Sequence, residues 1–121
     1  MKPMIGQMGL LKRELAELLG CSVPELPAVF RGARPKILTT GIHEEFEERY
    51  PLADQKRIRD WLQRWTAMRS YQHRMMHANN RHNLDRKDRG SICQADRDHA
   101  FKMLYGWRRK QTQTSNEEAH A

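Results

Sequence analysis

Residues 54–71, DQKRIRDWLQRWTAMRSY, decide the fold. Ile58, Trp61, Leu62, Trp65 and Met68 recur at spacings of three and four, which predicts one apolar stripe of an α-helix with Asp54 as its N-cap. The tryptophans are therefore core candidates. Arg57, Arg64 and Tyr71 fall on a second face, drifting roughly 20° per heptad, and Lys56, Arg59, Gln63 and Ser70 fall on a third. Both polar faces are basic. Asp60 offers a local partner, so a merely solvated surface stands beside a binding one as a reading of this helix.

Toward the N-terminus, Leu10, Leu11, Leu15, Leu18 and Leu19 predict a first helix over 7–19, ended by Gly20. CSVPELPAVFRGARP follows with three prolines, which is loop chemistry because proline lacks the amide donor. ARPKILTTGIHEEF, residues 33–46, then sets a hinge before a burst of acid. Thr39 or Thr40 can cap the helix that begins there, with Glu44, Glu45, Glu47 and Glu48 in its first turns against the positive end of the dipole. Toward the C-terminus, QHRMMHANN (72–80) breaks the helical periodicity. RHNLDRKDRGSICQ reads as two short strands around a turn with Asp88 and Gly90. A last helix over 95–109 uses Ala100, Phe101, Leu104 and Tyr105 and ends in Arg108, Arg109 and Lys110. QTQTSNEEAHA is too polar to pack, and no internal repeat occurs.

A chain of 121 residues suits one domain with a modest core. No apolar run approaches the roughly 18 residues of a membrane span, and the N-terminal apolar stretch is too short and too interrupted for a secretory signal. A cytoplasmic protein with no membrane partner is expected. Cys21 and Cys93 are far apart and read as reduced thiols. The net charge of +7 is unevenly placed: residues 1–52 hold seven basic and seven acidic side chains, whereas 53–110 hold fifteen against six. A basic block of this kind concentrates polyanions, of which nucleic acid is the commonest.

Chemistry finds little support. His73, His77, His82 and Cys93 could ligate zinc on paper, but the glutamate of H-E-x-x-H is missing and an arginine-rich region disfavours a divalent cation. Asp85 and Asp88 could hold magnesium, yet turns commonly use aspartate and no third acid or phosphate loop accompanies them. No catalytic residue, metal, cofactor or small-molecule substrate is expected.

Several stretches together resemble the ProQ/FinO family of bacterial RNA chaperones. ARPKILTTGIHEEF is similar to the family's basic Pro and Gly-Ile segment, LADQKRIRDWLQRWTAMRSYQHRM to its central helix, RHNLDRKDRGSIC to its Arg-x-x-Leu-Asp hairpin and HAFKML to its closing helix. The likeness covers about residues 30–105 in the family's order. It implies a compact, mainly α domain with a small β-hairpin over 30–110, preceded by a helix and proline-containing loop over 1–29 and followed by a disordered tail over 111–121. It further implies a monomer that binds structured RNA, especially a terminator hairpin with a single-stranded U-rich 3′ tail.

The residues to which the resemblance assigns RNA contact are Arg34, Lys36, Thr40, Gly41, Lys56, Arg57, Arg59, Arg64, Thr66, Arg69, Tyr71, Arg81 and Lys102. Thr40 and Gly41 would bring backbone amides to the RNA end beside Tyr71, with Arg59 and Arg81 neutralising phosphate without supporting the fold. The chain departs from the family at Gln63 and Ser70, where basic residues are common, and two extra residues separate Arg34-Pro35-Lys36 from Gly41-Ile42. Two other classes remain open on the sequence: a small DNA-binding regulator with the basic helix in a major groove, and a module whose basic face meets an acidic protein.

Overall fold

The computed structural model of the chain describes residues 6–106. The apolar stripe forms the buried side of α3 (Gln55–Ala67), and the Asp54 carboxylate caps it by accepting the Arg57 amide at 3.2 Å. Trp61 and Trp65 are fully buried and stacked, ring centroids 5.1 Å apart. Phe30 stands edge-on to both, at 5.3 and 5.5 Å, and stacks on Phe46 at 5.9 Å. These four rings form the centre of the core, in the offset and edge-to-face geometries that aromatic quadrupoles prefer.

Helix α1 (Gln7–Leu19) packs across α3, and the Trp61 indole N–H donates to the Leu11 carbonyl at 2.6 Å. Leu11 and Leu15 are buried, but Leu10, expected in the stripe, faces solvent. Gly20 closes the helix in the left-handed region (φ 72°), and the Gly20 and Cys21 amides take the Glu17 and Ala16 carbonyls. The proline-rich stretch contributes more than a loop. It forms two 3-10 turns, Val23–Glu25 and Ala28–Phe30, that bury Leu26, Val29 and Phe30. Prolines suit such short turns because their fixed φ fits a helical start and their missing N–H would have been unpaired there.

Helix α2 (Ile42–Arg49) has no threonine cap: the N-cap is Gly41, at φ 80°, and neither Thr39 nor Thr40 gives a side-chain cap bond. A residue with a Cβ is strained at this φ, so the chain reverses on glycine and the threonines precede the turn. The expectation of broken periodicity over 72–80 also fails in its first part, because α4 (Arg69–His77) is helical. Met68, with ψ 140°, separates α3 from α4 and changes the phase of the pattern. The hairpin pairs β1 (Asn80–His82) with β2 (Asp88–Ser91) antiparallel, with an irregular register between Asn80 and His82. Leu38 adds a parallel bridge to His82. Residues 94–106 form α5 as far as the described chain goes, with Ala100 buried. The basic run at 108–110 and the polar tail lie outside the described residues.

Truncating Trp65 to Ala removes one half of the stacked indole pair from a fully buried site. The expected cost is about 3–5 kcal/mol, read as a lowered midpoint in urea; an unchanged midpoint would contradict this packing.

Candidate functional site

Segment 37–39 crosses between α4 and the hairpin and is held by hydrogen bonds from both. The Thr39 amide donates to the His82 carbonyl at 2.8 Å, and the His82 amide donates to the Ile37 carbonyl at 2.7 Å. The Leu38 amide donates to the Tyr71 hydroxyl at 3.0 Å, and the Leu38 carbonyl accepts from Arg81 at 2.8 Å. Arg81 is held in turn by Asp96 of α5 at 2.5 Å. Arg81 therefore supports the fold as well as bearing charge, contrary to the expectation of a purely phosphate-facing side chain. Its hydrogen bond holds the Asp96 carboxyl below the usual aspartate range.

Tyr71 does not continue the exposed Arg57 and Arg64 face. The break at Met68 turns it inward, where it is 2% exposed. Burial pushes its phenol pKa up, so the hydroxyl stays protonated. Its oxygen accepts from Leu38, and among the described residues its own proton has no acceptor.

Beside this segment lies a cavity of about 480 Å3. Leu38, Ile42 and Leu62 give it an apolar floor, Thr39, His43, Gln63, Thr66 and Tyr71 supply polar groups, and Arg59 and Arg81 supply charge. The Thr66 hydroxyl bonds back to the Leu62 carbonyl at 2.9 Å. Arg59 pairs with Glu47 of α2 at 3.1 Å, both side chains largely exposed. Such pairs are worth only about 0–1 kcal/mol, so Arg59 can leave Glu47 for another anion at little cost.

Of the thirteen residues expected to contact RNA, this cavity brings together Arg59, Thr66, Tyr71 and Arg81. Thr40 and Gly41 are not among its walls; Thr39 and His43, on either side of them, are. Lys56 and Arg57 are exposed on α3, Arg69 is exposed at the start of α4, and Lys102 is exposed on α5. Arg64, also on α3, pairs with Glu14 of α1 at 2.6 Å. Arg34 is exposed and Lys36 half-buried ahead of segment 37–39. Asp60 makes none of these ion pairs; the acids come from other helices. On the sequence, Thr39 reads only as a cap and Gln63 only as a departure from a basic family position, and His43 carries no signal beyond its nearness to Gly41.

The magnesium candidates are otherwise occupied. Asp85 receives Arg49 on both oxygens, at 2.9 and 2.8 Å, and Asp88 bonds the Asn80 side chain and the Gly90 amide. Among the described residues no helix is long and apolar enough to cross a membrane.

A mainly helical domain whose two-stranded hairpin walls a cationic cavity is thus the class that fold and site define. The sequence matches the ProQ/FINO family model over residues 12–119, and the chain belongs to that family. The match is longer than the resemblance read over 30–105 and takes in most of α1. The fold is similar to the crystal structure of a FinO-like RNA chaperone from Neisseria meningitidis MC58. The TM-score is 0.60 at 15% identity, over 92% of this chain and 83% of that one. A search of curated proteins finds no match.

Two outcomes follow from the polar chain through Leu38. Tyr71→Phe leaves the Leu38 amide unpaired in a buried position and should cost about 1–3 kcal/mol in a urea titration, although no volume is lost. Asp96 contributes stability that is present above the usual aspartate range and is lost as pH falls through its lowered pKa. Asp96→Asn should therefore flatten the fall in melting temperature on acidification; an unchanged profile would show that the pair contributes nothing.

Proposed function

We propose that this chain is a cytoplasmic RNA-binding protein of the RNA chaperone type, acting as a monomer. In this reading it recognises terminator hairpins with a single-stranded U-rich 3′ tail, and it protects small regulatory RNAs or mRNA 3′ ends. It promotes their pairing with targets by holding them, without covalent chemistry. The observation that carries the reading is the cavity: an apolar floor, three hydroxyls and two guanidinium groups converge in a space of about 480 Å3. That volume lies in the range of small-ligand pockets, roughly 300–1,000 Å3. A terminal nucleotide presents a base and ribose to the apolar and hydroxyl walls and its phosphate to Arg59 and Arg81. Family membership and the FinO-like fold support the same partner.

Lys56, Arg57 and Arg64, exposed along α3, extend the positive surface away from the cavity. A-form duplex hides its base edges in a narrow major groove, so contacts there fall on phosphates and 2′-hydroxyls and read shape. The stem would then lie along these cations while the 3′ end enters the cavity.

The test is a competition between one hairpin RNA with a U-rich tail ending in a free 3′-hydroxyl and the same RNA with a 3′-phosphate. The free end should bind more tightly. Thr66→Val, which keeps the shape and removes a hydroxyl, should narrow that preference. Arg59→Ala should weaken both RNAs alike and reduce the salt dependence by about one phosphate contact. Equal binding of the two ends by the unaltered protein would exclude the cavity as an end site, and equal binding of duplex DNA of the same sequence would exclude RNA as the preferred partner.

A further inference from the structure

The basic side chains divide into two kinds. Arg49, Arg59, Arg64 and Arg81 each meet a carboxylate within 3.1 Å. Lys36 is surrounded differently: burial and three neighbouring cations, Arg86, Arg74 and Arg34, lower its pKa. Among the described residues none of these four is in an ion pair with an acid. Four cations gathered without an acid repel one another, and the repulsion is relieved by a polyanion.

Arg34 and Arg74 also wall a groove of about 510 Å3, apart from the cavity beside Tyr71. Half-buried Met8 gives it apolar surface above the buried Pro35, and the exposed His73 and His77 add two imidazole rings with centroids 4.8 Å apart. His77 neighbours both His73 and Arg74 on α4, at spacings of four and three. Base-paired RNA turns phosphates outward and keeps its base faces stacked inside, so it has no use for imidazole and apolar walls. An unpaired nucleotide presents a base face and a phosphate together, and aromatic side chains beside cations are what such nucleotides bind.

We propose that this groove is a second RNA subsite for unpaired nucleotides, with bases against Met8, His73 and His77 and phosphates on Arg34 and Arg74. It rests on the RNA-binding reading above. With the 3′ end committed to the cavity, the unpaired nucleotides that reach the groove come from the 5′ side of the hairpin.

The experiment uses the full chain and two RNAs: a hairpin with a free U-rich 3′ tail, and the same hairpin with an unpaired 5′ extension of about eight nucleotides, within the usual span of single-strand sites. The extension should tighten binding about fivefold or more, as one stacked base would. Arg74→Ala and His77→Ala should each abolish that gain and leave the unextended hairpin bound as before, with the fold of each variant checked by its circular dichroism melt. Arg74→Ala should also lower the salt slope for the extended RNA by about 0.7, one single-strand phosphate. No gain from the extension, or a gain that survives in His77→Ala, whose side chain is exposed, overturns the proposal. Failure of the unaltered protein to bind either RNA would instead overturn the RNA-binding reading, and the groove with it.

Discussion

The Leu38 peptide is the constraint on which the site depends. Its N–H is taken by a side chain of α4 and its C=O by a side chain of β1, while the neighbouring residues exchange backbone bonds with His82. A segment this extended and this buried would otherwise carry unpaired backbone groups, each costing about 1–3 kcal/mol. Tyr71 and Arg81 remove that cost and in doing so fix α4, β1 and, through Asp96, α5 at set distances from one strand of chain. The cavity occupies the space beside this junction. Both side chains therefore serve twice, once toward Leu38 and once as cavity wall.

Elements whose signal is local were legible in the sequence. The α1 bounds, the Gly20 stop, the Asp54 cap, the tryptophan stripe and the hairpin are all set by residues within a turn or two of each other. What was not legible depends on partners far along the chain. Gln72 donates its side-chain amide to the Thr66 carbonyl at 2.5 Å, taking up a carbonyl that the end of α3 leaves unpaired. No glycine or proline marks that end, so the periodicity read straight through it. Leu10 faces solvent for the converse reason: an amphipathic count gives a stripe, but the width of the stripe that is covered depends on the neighbour.

The acids between Glu44 and Glu48 answer a second difficulty of a basic chain. Glu45 accepts the Leu84 amide at 3.2 Å and Glu47 meets Arg59, so the burst is spent on joining α2 to the hairpin and to α3, not on capping its own first turn alone. Glu14 does the same for Arg64 from α1. The Glu47–Arg59 and Glu14–Arg64 pairs are largely exposed and individually weak, so both guanidinium groups are positioned without being locked in place. The basic face of α3 is thus partly neutralised by acids from α1 and α2.

The break at Met68 gives α4 its two uses. In one unbroken helix Tyr71 would follow Arg57 and Arg64 toward solvent, and its hydroxyl could not reach Leu38, which lies thirty-three residues earlier in the chain. The extended backbone at Met68 rotates the next helix so that Tyr71, Gln72 and Met75 turn inward. Because a helix has only so much circumference, the same rotation that buries those three leaves His73 and His77 exposed and Arg74 half-exposed beside Arg34. One non-helical residue accordingly sets both the cavity's tyrosine and the cationic groove beside Arg34, and a substitution that straightened Met68 into the helix would disturb both together.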